Sequence, residues 1–280
     1  MIRVIGILLF FLSNTVFAQE KGLLFEISGN GLQKPSYLFG TMHLLCEGDF
    51  EMSEEMISKI KSSEILAMEM DLDDPTMAFK MMGKMKMKGD TSLSDLMPQT
   101  KYDSLRSYLK DSLNLPPMMF QKTKPFLIYS LVLTKLLPCK TLMLENEIMK
   151  TGKGKKVVGL ETLDFQMGLM DKMSYQVQAD YLLETLADKQ KSIQEFKEMT
   201  EAYKKRDLEI LLKSIDEEKG MMADFENEML HKRNSAWIPE IKKLILEKST
   251  FIAVGAGHLG GDKGVLQLLK NEGFTIKTIE

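Results

Sequence analysis

The sequence predicts an α/β domain, a central mixed sheet carrying helical insertions, on three observations. Short apolar runs of strand length stand near both ends of the chain, and a long middle section repeats its apolar residues at helical spacing. An apolar run followed by Gly-x-x-His-Leu occurs twice, at residues 37–44 and again at 252–259. The chain has three histidines, and two of them, His43 and His258, sit in this repeated setting.

The elements follow in order. Residues 1–18 read as a leader: Arg3 gives a positive start, 4–12 is apolar but too short to span a membrane, and Val16-Phe17-Ala18 before Gln19 resembles a signal-peptidase site. No Cys lies near Ala18, so a lipid anchor is not expected, and the alternative to a cleaved leader is an uncleaved N-terminal anchor. One domain is expected over 19–280, exported to a periplasm or secreted, with no stable membrane span after signal cleavage. Residues 23–27 read as an edge strand before the turn Ser28-Gly29-Asn30-Gly31. Buried strands are expected at 36–40, 65–72, 156–160 and 250–254, and a last strand at 274–279. Helices are expected at 53–62 behind a Ser53 N-cap, in two pieces over 93–113, and at 126–137, 142–150, 175–213, 221–231 and 264–271.

Composition narrows the function classes. With 37 basic against 40 acidic residues and no basic stripe interleaved with aromatics, nucleic acid is excluded as a partner. In an exported chain the two cysteines, Cys46 and Cys139, predict a disulfide. It would close a loop of about 90 residues, with a ceiling of about 4–5 kcal/mol on the loop-entropy model. The competing reading makes Cys46, three residues past His43, a metal ligand or nucleophile. The Met- and Lys-rich stretch 77–88 reads as an amphipathic helix using Met as adaptable filler, with Cu(I) binding or a substrate-contacting flap as alternatives.

The chemistry gathers at strand ends. Glu69 and Asp71 lie inside an apolar run, two apart, so a regular strand would point them to one face. Charged groups in a buried strand are costly unless paired or metal-bound. Glu161 ends another strand. In parallel sheets the carboxyl ends of strands line the functional crevice. His43, His258, Glu69 and Glu161 arising there would make a two-His, two-carboxylate set suited to a divalent ion. Arg233 and Asn234 end a helical pattern. Arg233 suits a substrate carboxylate or a developing oxyanion, or equally an ordinary salt bridge at a helix terminus. Trp237, the only Trp, reads as core, and His231 as a surface or packing residue.

These residues resemble the TraB/GumN family, which includes the TIKI metalloproteases. The resemblance is carried by Leu38-Phe39-Gly40-Thr41-Met42-His43, Glu69 with Asp71, Gly159-Leu160-Glu161-Thr162, Arg233-Asn234 with Trp237, and Val254 through Gly260 with Gly264. Lys124-Pro125-Phe126 fits a further family position, read as structural. The resemblance spans about residues 22–280. It implies an α/β fold related to the erythromycin-esterase and haem-binding ChaN group, and metal-dependent peptidase activity in some members. There the motif histidines and a motif Glu are tied to activity, which maps to His43, His258 and Glu69.

The expected function is an exported metal-dependent hydrolase acting on a peptide or protein substrate. His43 and His258, with one or both of Glu69 and Glu161, would hold Mn, Co or Zn, and the free carboxylate would act as base. Arg233 would steady the oxyanion, Asp71 would orient a histidine, Asn234 would support the site, and Gly40 and Gly255 would shape the loops. The alternatives are a non-enzymatic protein that sequesters a peptide or haem in the same crevice, and hydrolysis of a non-peptide ester.

Overall fold

The computed structural model describes residues 22–217 and 227–280. The leader expected over 1–18, and part of the helix expected at 221–231, lie outside the described residues.

The strands are β1 Leu24–Ser28, β2 Ser36–Thr41, β3 Leu45–Cys46, β4 Ile65–Met68, β5 Thr141–Leu142, β6 Lys156–Gly159, β7 Thr250–Gly255 and β8 Thr275–Thr278. Six of them form one mixed sheet in the order β6-β4-β7-β2-β1-β8, and β3 pairs with β5 in a separate two-stranded sheet. Strands β6, β4, β7 and β2 are mutually parallel, while β1 runs antiparallel to both β2 and β8. Every residue of β2 and β4 is buried, and so are five of the six in β7. That is why these strands read as unbroken apolar runs: a parallel strand covered on both faces has no polar side to alternate with.

The helices Glu54–Ser62, Leu144–Thr151, Lys232–Glu247 and Val265–Asn271 contribute buried residues to the core around the sheet. A second apolar cluster joins Gln99–Leu113, Pro125–Leu136 and Tyr175–Ala187 through Leu105, Leu109, Val132 and Leu182. Ser53 caps its helix as expected, its hydroxyl accepting from the Met56 N–H at 3.0 Å. The Met-rich stretch forms a helix, Met77–Lys84, that buries none of its residues.

Several boundaries differ from expectation. Strand β4 stops at Met68, so Glu69 and Asp71 are not two steps of one regular strand. The stretch 175–213 is not one helix: Asp188 ends Tyr175–Ala187 and caps Lys189–Lys204 by accepting from the Lys191 N–H, and Arg206, at φ 53°, breaks the chain before Leu208–Glu217. Leu142 pairs in β5 instead of opening the next helix. A helix at Leu163–Met170 and the 16-residue helix Lys232–Glu247 were not anticipated. Arg233 and Asn234 therefore begin a helix, running on from the π-helical turn Asn227–His231, and do not end one. Cys46 and Cys139 form a disulfide with their Cα atoms 5.6 Å apart, so Cys46 is neither ligand nor nucleophile. Among the described residues no helix is long and apolar enough to cross a membrane.

Candidate metal centre

The parallel strands end almost level. Thr41 of β2 sits opposite Gly255 of β7, and Met68 of β4 sits between Ala253 of β7 and Gly159 of β6. The chain then releases His43 two residues past β2, Glu69 directly past β4, Glu161 two past β6 and His258 three past β7, on the 3-10 turn Ala256–His258. Strand order alone thus collects four residues, spread over more than two hundred positions, along one sheet edge.

Glu69 is the hub. Its Oε1 accepts from the Gly255 N–H at 2.9 Å and stands 3.7 Å from Nε2 of both His43 and His258. Its Oε2 accepts from Arg233 Nη2 at 2.6 Å and Gln166 Nε2 at 3.2 Å. Arg233 also donates to Glu161 through Nε and Nη2, at 3.0 and 2.7 Å, and Trp237 Nε1 donates to Glu161 Oε2 at 2.9 Å. The remaining arm, Nη1, reaches His258 Nε2 at 3.0 Å and the Met229 carbonyl at 2.9 Å. Arg233, Asn234, Trp237, Ile238 and Ile241 form the buried face of one helix, so apolar residues lower on that face anchor the polar ones above.

Each imidazole is held from behind. His258 Nδ1 lies 2.6 Å from Asn234 Oδ1, and Asn234 is fixed in turn by donating to the Lys263 carbonyl at 2.9 Å. Because a guanidinium can only donate, His258 Nε2 must accept, which puts the ring proton on Nδ1. His43 Nδ1 lies 2.6 Å from Glu145 Oε1, which also accepts from the Thr41 hydroxyl at 2.6 Å. His258 is buried, whereas the His43 side chain is 57% exposed at the mouth of the site. His43 also lines a groove of about 1100 Å³ walled by Tyr129, Leu133, Leu142, Met143 and Met149.

Burial and charge separate the titrations. Burial and the nearby Arg233 guanidinium push His258 down to about 3, against the pull of Glu69. For His43 the partial desolvation of an otherwise exposed ring also lowers the pKa, but the Glu145 hydrogen bond and the Glu69 and Glu145 charges outweigh it and raise the ring to about 9. Burial disfavours ionised Glu69, yet its cationic neighbours and the Gly255 N–H hold it at about 2. Glu161 goes the other way: burial raises it despite Arg233.

The structure brings together His43, Glu69, Glu161, Arg233 and His258, with Asn234 behind His258. Asp71 is placed otherwise: it accepts from the Asp73 N–H at 3.3 Å, and the ring nitrogens use Glu145 and Asn234 in the role expected of Asp71. Gly40 has a packing reason, since a Cβ there would come within 2.6 Å of Leu259 Cδ1. At Gly255 a Cβ would stand 3.3 Å from Glu69 Oε1, 3.4 Å from His43 Nε2 and 3.6 Å from His258 Cδ2, so the space between these donors depends on glycine. Sequence reasoning missed Glu145, Thr41 and Gln166. Glu145 sits in an ordinary amphipathic helix, and only its burial inside an apolar face could have flagged it.

The sequence profile of the TraB/PrgY/gumN family matches residues 23–278. The chain belongs to that family. No curated protein and no solved structure matches it significantly. In this TraB/PrgY/gumN member two imidazole Nε2 atoms face one carboxylate oxygen, and each Nδ1 is held by an acceptor. Two ligand atoms at about 2.1 Å from one zinc ion stand about 3.4 Å apart in a tetrahedron, near the observed 3.7 Å. One donor is already engaged, however, because Arg233 Nη1 takes the His258 lone pair. Among the described residues no group of three or more His, Cys, Asp or Glu side chains is assembled to hold an ion.

Proposed function

We propose that the protein is an exported metal-dependent hydrolase, a peptidase, whose ion is held by His43 Nε2, His258 Nε2 and Glu69 Oε1. The observation that carries this reading is the common 3.7 Å separation of both Nε2 atoms from that one oxygen. Export rests on the leader-like residues 1–18 and on the disulfide, a bond that persists in oxidising compartments.

A bound Mn, Co or Zn ion would lower the pKa of a water and polarise a scissile carbonyl. The chain's own residues do the rest. Glu145 and Asn234 hold the two rings so that Nε2, not Nδ1, faces the site. Glu161, which bonds Arg233 and Trp237 and neither imidazole, is the carboxylate left to take a proton, and burial raises its pKa, the direction a general base needs. Arg233 would reach a developing oxyanion only by releasing one of the bonds to Glu161, Glu69, His258 and the Met229 carbonyl that occupy its N–H groups. The groove beside His43 offers an extended peptide an apolar wall and leads it to the exposed edge of the site.

The test is metal content of purified residues 19–280 beside a His43→Ala/His258→Ala double variant. Near-stoichiometric metal in the first and none in the second supports the reading and directs a peptide-library cleavage screen. No metal in either after reconstitution overturns it. Haem and peptide binding then become the measurements, with a Soret shift marking the sequestering protein.

A further inference from the structure

We infer that the open edge of β5 is the docking strand of the groove beside His43: an extended peptide adds to the β3–β5 ribbon there through main-chain hydrogen bonds. This inference rests on the peptide substrate of the reading above and needs no ion.

The register shows which backbone groups are spare. Leu45 stands opposite Leu142 and Cys46 opposite Thr141, and the Glu47 N–H donates to the Lys140 carbonyl at 2.8 Å. Residue pairs in an antiparallel ladder alternate between bonded and non-bonded, so that bond makes Cys46 and Thr141 a non-bonded pair. The N–H and C=O of Thr141 therefore point away from β3. Met143, two residues on and still extended at φ −111° and ψ 123°, turns its N–H the same way. Neither N–H, nor the Thr141 carbonyl, is taken by another segment among the described residues. Thr141 and Met143 both line the groove of about 1100 Å³.

An unpaired strand edge is a template for another extended chain. Here it offers three main-chain bonds inside a groove it shares with Tyr129, Leu133 and Met149. Side chains of an extended peptide alternate, so every second one meets that apolar wall. The occupant is thus a peptide segment with apolar residues at alternate positions, held mostly by its backbone. The edge is also fixed in advance. Two residues per strand make a marginal ribbon, but the Cys46–Cys139 disulfide ties one end, and the helix Leu144–Thr151 starts directly after Met143. A preformed edge lowers the ordering cost of binding. The same register, continued past Leu45 and Leu142, runs toward His43, which lines the groove as well.

The test uses the disulfide-intact chain and a library of N-acetylated heptapeptide amides, from which the tightest binder is taken. Amide exchange read by NMR should show Thr141 and Met143 unprotected in the free protein and protected in the complex. N-methylation walked along the peptide should weaken binding about three- to tenfold at the amide that donates to the Thr141 carbonyl, the scale of one lost hydrogen bond. Thr141→Pro removes an N–H that the ribbon does not use, so it should weaken binding by a similar factor while far-UV dichroism and the disulfide are retained. A binder that protects neither amide and tolerates every N-methylation would overturn strand addition and leave the peptide reading standing, a result that needs no variant to fold. A library with no binder would overturn both.

Discussion

His43 and Glu145 stand 102 residues apart in sequence and 2.6 Å apart in space, with the His43 Nδ1 against a carboxylate oxygen that Thr41 shares. Glu145 is buried, and its other oxygen, Oε2, has no hydrogen-bond partner among the described residues. An unsatisfied buried carboxylate oxygen costs free energy. The contact with His43 is what that placement serves. It turns the ring so that Nε2 faces Glu69, and it raises the ring's basicity, as outer-shell carboxylates do for metal-bound histidines.

Glu145→Gln keeps the shape and removes the charge. Metal affinity should fall about 10- to 100-fold, the usual scale for such partners. In the metal-free protein the His43 pKa should drop from about 9 toward its ordinary 6.5. Imidazole proton shifts followed by NMR against pH read the second effect directly. An unmoved His43 titration would show that Glu145 does not control this ring.

Removing a proposed ligand should cost function but not fold. His43→Ala and His258→Ala should each lose bound metal and hydrolysis while retaining far-UV dichroism, and full activity in either variant would sink the ligand assignment. Glu69→Gln should lose activity. Because Gln can still accept from the Gly255 N–H, metal content of the folded variant separates the two roles: metal lost means Glu69 is a ligand, metal kept means it is the base.

Much of this site was legible in the sequence, for a physical reason. A buried parallel strand announces itself as an apolar run, and a Gly-x-x-His following it can only emerge at the strand's carboxyl end. The ends of such runs are where His43, His258, Glu69 and Glu161 stand, along one edge of the sheet. Sequence reading fails where position depends on packing between distant segments. Glu145 reaches His43 through the β3–β5 pairing, two residues per strand, too short to leave a periodic signal. Asp71 was misjudged because β4 ends at Met68, so the alternation that placed it beside Glu69 does not extend that far. Arg233 was read at the wrong end of its helix because Pro239, inside Lys232–Glu247, hides the continuity.

The disulfide bears on the same pair. Cys46 lies three residues after His43, and Cys139 lies six before Glu145, so the bond and the β3–β5 pairing clamp the two segments that meet at the ring. The Cys46→Ser/Cys139→Ser variant should lose up to about 4–5 kcal/mol of stability in denaturant unfolding. Under native conditions its metal affinity should also fall. Unchanged affinity in the folded variant would show that the β3–β5 pairing holds His43 without the bond.

The two histidines should make the metal-free protein most stable near neutrality. His43 is raised to about 9 from an ordinary 6.5, so the stability it contributes is full below pH 6.5 and is lost as pH rises through 9. His258 is depressed to about 3, so below pH 6.5 the unfolded chain takes up a proton that the native ring refuses, and stability falls as pH drops toward 3. Glu69, depressed to about 2 from 4.5, contributes above pH 4.5 and loses that contribution as pH falls through 2, which steepens the acid side. The acid arm should be the stronger, because His258 is buried while solvent screens the exposed ring of His43. Urea midpoints measured in chelator from about pH 4 to pH 9 should therefore peak near 6.5. His258→Asn should flatten the acid arm and His43→Ala the alkaline one. A wild-type midpoint that climbs steadily to pH 9 would mean that the native His43 is not held protonated by Glu145 and Glu69.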